Sequence, residues 1–270
     1  MIKQAIIPLA GLGTRLLPLT SVLPKELLPI NGKPGLEYIL DECIEAGIKE
    51  FIFIISKKKE TIKKYFYNDL FYKRIIKVKK NKRLNSEYQK IKKLKKMIKF
   101  VYQNSPKGTG DAVLKCEKYI KSKHFLMLLP DDLIVKKNCS LDMIKLHKKY
   151  KASIIASKKV KKTDVSRWGI FRIKKINKKI FSIKDVVEKP NINIAPSNYA
   201  VIGRYILPRT IFNILKRQKP GQNGEIHITD SIKTLINKKD KFIGHVFAGK
   251  YLDCGTMKGY INSSIKISKL

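Results

Sequence analysis

Two glycines and two cations near the start of the chain have the types and spacing that a polyphosphate would need. Gly11 and Gly13 follow the apolar run Ala5-Ile6-Ile7-Pro8-Leu9-Ala10; Arg15 comes next, and Lys25 ten residues later in Pro24-Lys25-Glu26-Leu27-Leu28-Pro29. Glycines let the backbone approach a ligand closely and take φ > 0, so that successive N–H groups converge on an anion. Two separated cations would then neutralise its oxygens. On pattern alone, a GxG after a strand is as often only a tight turn. The stretch lacks the third glycine of the dinucleotide fingerprint, and it is not the GxxxxGK[ST] of a P-loop.

Carboxylates supply the second chemistry. Pro130-Asp131-Asp132 follows the apolar run Phe125-Leu126-Met127-Leu128-Leu129, where an α/β sheet binds ligands at the carboxyl ends of its strands. A phosphoryl-transfer site needs a hard cation, and Mg²⁺ is held by one or two carboxylates together with phosphate oxygens. A helix N-cap or an Asx turn explains such a pair as well. Glu188 and Lys189, in Val186-Val187-Glu188-Lys189-Pro190, project to opposite sides if extended, so an ion pair between them is not the obvious explanation. Asp253, in Tyr251-Leu252-Asp253-Cys254-Gly255-Thr256, reads locally as a turn residue. His227 has no partner cluster, which leaves metal or acid–base roles unsupported.

The elements that must position these groups alternate. Residues 5–10 read as a buried strand, residues 35–47 as a helix with Leu36, Ile39, Leu40 and Cys43 at helical spacing, and residues 51–55 as a second buried strand. That is a βαβ unit with parallel strands and a right-handed crossover. Further strands are expected at 99–103, 125–129, 153–157, 168–171, 198–205 and 242–247, and helices at 111–120, 206–216 and up to 236. Thr229 and Asp230 are expected to cap the last of these. The lysine-rich stretch 57–99 reads as two helices, or a helix and a long excursion, facing solvent.

At 270 residues with 43% hydrophobic content, the chain is long enough for one large α/β domain with a full core. A net charge of +38 raises nucleic acid or an acidic membrane as a partner. The lysines, however, are spread through almost every polar segment, and the densest run, 77–99, carries little aromatic interleaving for stacking bases. A specific nucleic-acid partner is therefore not expected. Cys43, Cys116, Cys139 and Cys254 are scattered without a CxxC, so neither a zinc site nor a disulfide framework is indicated. No signal-peptide pattern and no apolar run of membrane-spanning length is evident, and a cytoplasmic location without a membrane partner is the expectation.

Several motifs in order carry a resemblance: GLGTR with KELLP nine residues on, Gln103 with Gly108, LPDD, Trp168-Gly169, VVEKP, NYAVIGRY and DCGT. Together they are similar to the sugar-1-phosphate nucleotidyltransferases, specifically the bacterial UTP–glucose-1-phosphate uridylyltransferases, over residues 3–260. The resemblance implies a Rossmann-like three-layer αβα sandwich with a mostly parallel mixed sheet and small β excursions. One nucleotidyltransferase domain would span 1–270, with a nucleotide-binding part at about 1–135 and a sugar-phosphate part at about 136–260. The implied substrates are UTP and glucose 1-phosphate, the cofactor Mg²⁺, and the assembly a homo-oligomer.

By the same resemblance, Ala10, Gly11 and Gly13 approach the nucleotide, Arg15 grips the leaving phosphates and Lys25 stabilises charge near the α-phosphate. Gln103 and Gly108 read uracil, Asp131 and Asp253 hold the metal, and Gly169, Glu188 and Lys189 receive the sugar phosphate. Asp132 is a local structural residue in this scheme. Thr109 and Asp111 depart from the family's KGLGHA string, and Asp111 adds a negative charge at the base loop. Thymidylyl transfer would use nearly the same scaffold, although KELLP, as against KQLLP, and VVEKP favour uridylyl. A catalytically silent paralogue or a basic nucleic-acid-binding protein stands further off.

Overall fold

The computed structural model describes residues 2–79, 81–221 and 224–270. The first strand, β1 (Gln4–Pro8), sends Ala5 and Ile7 into one apolar cluster and Ile6 into another. Both faces of the strand are apolar, so it belongs in the middle of a sheet covered on both sides. A two-residue ribbon, β2 (Pro29–Ile30) against β3 (Lys33–Pro34), leads into α1 (Gly35–Glu45). That helix buries Leu36, Ile39, Leu40 and Cys43 on one face. Gly47, at φ +90°, turns the chain beyond it toward β4 (Glu50–Ile55), which runs parallel to β1.

The lysine-rich stretch after β4 holds α2 (Glu60–Tyr67), α3 (Asp69–Lys79) and α4 (Lys82–Met97), one helix more than its irregular spacing indicates. Asn81 explains the extra boundary. Its side chain accepts from the N–H groups of Arg83 and Leu84, starting α4 afresh, and Tyr88, Ile91 and Leu94 pin that helix down. Position 80, inside the densest lysine run, lies outside the described residues.

The chain continues through β5 (Ile98–Tyr102), α5 (Thr109–Leu114), β6 (His124–Leu128), β7 (Asp132–Val135), α6 (Cys139–Tyr150), β8 (Ser153–Lys159), β9 (Ile170–Lys175) and β10 (Ile180–Val187). It closes with β11 (Tyr199–Pro208), α7 (Ile211–Leu215), α8 (Ile228–Asn237), β12 (Phe242–Val246), β13 (Lys250–Asp253) and α9 (Met257–Ser268). The helix expected at 206–216 is shorter: Ile206 and Leu207 pair with Leu126 and Phe125 at the end of β11, and helix forms only over Ile211–Leu215. Cross-strand partners override the helical reading there. The helix expected at 111–120 starts at Thr109 and ends at Leu114.

Among the described residues the main sheet has nine strands, in the order β5-β4-β1-β6-β11-β8-β12-β10-β9. Its pairings set β11 and β10 against the common direction of the other strands, giving a mixed, mostly parallel sheet. The ribbons β2–β3 and β7–β13 stand outside it. One core cluster packs Leu36, Ile62, Ile91, Met143 and Ile267 on one face, and the other packs Val113, Leu215 and Ile232 on the opposite face. Three αβα layers result. Among the described residues no helix is long and apolar enough to cross a membrane.

A buried ion pair joins helix, sheet and loop at the centre. Arg204 of β11 has no exposed surface, and its Nε and Nη2 donate to both oxygens of Glu42 on α1 at 2.9–3.1 Å. Its Nη1 donates to the carbonyl of Leu129, immediately before the Pro130-Asp131 turn, at 3.3 Å. Ser140 adds a 2.6 Å hydrogen bond to Glu42. Removing one partner of a buried pair strands the other charge. Glu42→Ala is therefore expected to lower unfolding free energy by about 3 kcal/mol or more; an unchanged urea midpoint would contradict this account of Arg204.

Candidate active site

The carboxyl ends of β1, β4, β5 and β6 open on one side of the sheet, and the residues with chemistry follow them. Beyond β1, Gly13 takes φ +72° and its carbonyl accepts from Thr20 Oγ1 at 2.8 Å. A Cβ on Gly13 would sit 3.1 Å from the Thr20 methyl, so the tight loop that presents Arg15 needs glycine there. Beyond β6, the Leu129 N–H donates to the Gly203 carbonyl at 2.8 Å, holding Asp131 at the strand end.

Asp131 is the meeting point. Lys25 Nζ donates to its Oδ2 at 2.7 Å, and Arg15 Nη2 lies 3.8 Å from the same oxygen. The Asp131 carbonyl accepts from the Cys254 N–H at 2.8 Å, which ties the turn after β13 to the turn after β6. Asp253 Oδ1 accepts from the Gly255 N–H at 2.9 Å, and its Oδ2 lies 3.4 Å from Arg167 Nη2. A Cβ built on Gly255 would stand 3.0 Å from Asp131 Oδ2, 3.1 Å from Arg15 Nη2 and 3.2 Å from Asp253 Oδ1. The two carboxylates and Arg15 thus converge on one small space that glycine leaves open.

Electrostatics keep the carboxylate ready. Burial works against ionised Asp131, but the Lys25 ammonium, with Arg15 behind it, outweighs burial and holds the carboxyl below its usual range. Burial likewise disfavours charged Lys25, and Asp131 and Glu26 overcome it to raise the amine. Asp132 behaves in the opposite sense: burial and the Asp131 charge push it up to about 6. Its oxygens accept from Tyr251 Oη at 2.6 Å and from the Gly203 N–H at 2.8 Å. Behind Lys25, Glu26 and Lys59 form a buried pair at 2.8 Å, and Tyr260 Oη of α9 donates to the Pro29 carbonyl at 2.6 Å.

Two further constellations flank this centre. Ala10, Leu12, Ser56, Gln103, Asn104 and Pro106 line a cavity of about 410 Å³. Gly108, at φ +95°, packs so closely that a Cβ would lie 2.6 Å from the Ile226 carbonyl oxygen. On the other flank, Gly169 lies against Glu188, whose Oε2 is 3.2 Å from the position of a Gly169 Cβ and accepts from Thr229 Oγ1 at 3.1 Å. Lys189 is exposed at φ +43°, its N–H donating to the Trp168 carbonyl at 3.1 Å. Arg167 connects this flank with the centre: it stacks over Trp168 at 4.7 Å and reaches Asp253.

Some of these residues are not marked by sequence. Thr229 reads as a helix cap, yet His227 holds the N-cap position of α8 and Thr229 instead bonds Glu188. Lys59 reads as one of three solvated lysines but is 6% exposed. Tyr251, Arg167 and Gly255 lie in or beside motifs whose neighbours stood out more. Among the described residues there is no group of three or more His, Cys, Asp or Glu side chains fit to hold a metal. Two carboxylates beside a glycine loop that carries Arg15 do suit a hard divalent ion that completes its shell with phosphate oxygens and water.

The fold and the site define an α/β protein that gathers two cations and two carboxylates beyond the strand ends, an arrangement suited to a nucleotide's phosphates. Residues 4–71 and 68–269 match the nucleotidyl transferase family model. UTP–glucose-1-phosphate uridylyltransferase 1 of Staphylococcus saprophyticus is 36% identical over 268 residues, covering 99% of this chain and 93% of that protein. A UDP-glucose pyrophosphorylase solved with UDP-glucose superposes with a TM-score of 0.88 at 38% identity, covering 100% of this chain and 99% of the other. A UTP-bound enzyme of this kind from Acinetobacter baumannii gives 0.88 at 31% identity, covering 99% and 93%. The chain belongs to the nucleotidyl transferase family, the one whose motifs it carries.

Two outcomes follow from the geometry. Gly255→Ala fills the space between the carboxylates at an ordinary backbone conformation, so turnover should fall about 10²-fold while the urea midpoint holds; full turnover would show that the space is not used. Lys25→Gln removes the main charge that lowers Asp131, so the Asp131 carboxyl should titrate at a higher pH than in the parent chain. Carboxyl ¹³C NMR reads this directly, and an unmoved titration would contradict the electrostatic account.

Proposed function

We propose that this chain joins UTP and α-D-glucose 1-phosphate to give UDP-glucose and pyrophosphate. The observation that carries the reading is the convergence of Arg15, Lys25, Asp131 and Asp253 on one space at the sheet's carboxyl edge, between the cavity beside Gln103 and a glutamate-lined flank. Names borne by proteins similar over nearly the whole chain support the choice of UTP and glucose 1-phosphate. The division of labour places the nucleotide on the part up to about residue 135 and the sugar phosphate on 136–260. A cytoplasmic, homo-oligomeric enzyme acting on small molecules, with no nucleic-acid or membrane partner, completes the reading. Exposed Leu17, Leu19, Val22 and Leu23 supply an apolar surface suited to a second copy.

Each residue has a role in this scheme. A phosphate oxygen of glucose 1-phosphate attacks the α-phosphorus of UTP; the bond from that phosphorus to the β-bridging oxygen breaks, and pyrophosphate leaves with the electron pair. The nucleophile is already ionised, so no general base is needed, and catalysis is positioning and charge neutralisation. Ala10, Gly11 and Gly13 bring backbone close to the nucleotide. Arg15, exposed beside Asp131, grips the leaving group, and Lys25 faces the α-phosphate. Gln103 and Gly108 meet uracil. Glu188, kept in place by Thr229, holds sugar hydroxyls beside Gly169, and exposed Lys189 takes the sugar phosphate. Asp131 and Asp253 would hold Mg²⁺, which supplies charge neutralisation on the triphosphate when bound.

Pyrophosphate release from glucose 1-phosphate, measured separately with UTP, dTTP, CTP and ATP, tests the whole. UTP should be preferred, chelation of divalent ions should stop release, and added Mg²⁺ should restore it. Arg15→Ala and Asp131→Asn should each reduce release by about 10²- to 10³-fold with native circular dichroism. Release with none of the four nucleotides would overturn the enzyme reading, and preference for dTTP would reassign the substrate.

A further inference from the structure

We infer that Asp111 is a positioning residue that sets which way the Gln103 amide faces, and thereby selects a base carrying an N–H at the contacted edge. The inference rests on the reading that the cavity beside Gln103 receives the nucleotide base. Gln103 is 6% exposed, and its Nε2 lies 2.7 Å from Asp111 Oδ2 and 3.2 Å from the Gly108 carbonyl oxygen. A carboxylate and a carbonyl can only accept, so the amide NH₂ must be turned toward both of them. The orientation is dictated by chemistry, whereas an isolated glutamine could present either end.

Both acceptors are themselves fixed. Asp111 stands in the first turn of α5, where the Gly110 N–H donates to the Ile226 carbonyl at 2.7 Å, and its other oxygen lies 3.5 Å from Lys115 Nζ one turn on. Gly108 is packed against the Ile226 backbone so closely that a side chain cannot be added. With its NH₂ engaged, Gln103 has Oε1 left for a ligand in the cavity it lines. That oxygen is an acceptor. N3–H of uracil or thymine can donate to it; N3 of cytosine is itself an acceptor and meets it with an unpaired lone pair. A buried polar group left without its partner is how a site rejects a near-isostere. The negative charge at Asp111 therefore works through the glutamine and needs no contact with the base.

The test is steady-state pyrophosphate release with UTP and with CTP by the parent chain and by Asp111→Asn, Asp111→Ala and Asp111→Glu. Asparagine offers either an acceptor or a donor, and alanine offers neither, so both leave only the longer contact to the Gly108 carbonyl, 3.2 Å against 2.7 Å, to hold the Gln103 amide, which can then turn. In both variants the kcat/KM ratio of UTP to CTP should fall by at least about tenfold. The change should appear mainly in the nucleotide KM, and Asp111→Glu, which still can only accept, should keep the preference. Thermal melts identify any variant that fails to fold, and the remaining one then decides. A parent-level ratio in a folded Asp111→Asn or Asp111→Ala variant would overturn the inference. If the parent chain releases no pyrophosphate from UTP, it is the proposed function that fails.

Discussion

The ion pair between Asp131 and Lys25 is the interaction on which the site depends. A carboxylate at the edge of a sheet core tends to take up a proton, and a protonated acid is a poor ligand for a hard cation. The ammonium 2.7 Å away reverses that tendency, while the guanidinium of Arg15 stands near enough to help but remains exposed. Lys25 in turn sits beside Glu26, which is bound to Lys59 in the buried pair behind it. Charges alternate inward from the cleft, so each is compensated by the next. The folded-state depression of the Asp131 pKa also links the pair to stability: it contributes above the ordinary carboxylate range, and the contribution is lost as pH falls through the lowered value.

The rest of the fold delivers groups to that pair from distant parts of the chain. Parallel strands bring the ends of β1 and β6 side by side, so that Arg15 and Asp131 meet across 116 positions of sequence numbering only because the sheet places them together. The outlying ribbon β7–β13 pairs Asp132 with Asp253, setting the second carboxylate next to the first. Arg204 and Glu42 secure the Leu129 carbonyl just upstream. Neighbouring aspartates accordingly divide the work. Asp131 faces the cations, whereas Asp132 faces Tyr251 and the Gly203 amide and is pushed up toward neutrality.

Loop motifs made much of this legible in advance. GLGTR, KELLP, LPDD and DCGT each name a residue now found at the central space, because such loops need particular types: glycine for close backbone approach, acid and base for charge. The alternation of apolar runs also located most strands. What sequence hid was partnership across distance. Lys59 stands in Lys57-Lys58-Lys59, and nothing local separates it from its solvated neighbours; only the fold puts Glu26 against it. Thr229 has a capping residue's composition, but its hydroxyl turns to Glu188. Ile206 and Leu207 suit either a helix or a buried strand, and β6 decides between them. Asp111 reads in sequence as an added charge at the base loop, and only the fold sets its carboxylate against the Gln103 amide.

The proposal that Asp131 and Asp253 would together hold a divalent ion is open to direct test. Crystals grown with Mn²⁺ and a non-hydrolysable UTP analogue would locate that ion by its anomalous signal. The account predicts one peak bridging the Asp131 and Asp253 carboxylates and a phosphate oxygen, with the Arg15 side chain turned toward the terminal phosphates. A nucleotide bound in the cleft with the manganese held elsewhere, touching neither carboxylate, would contradict it.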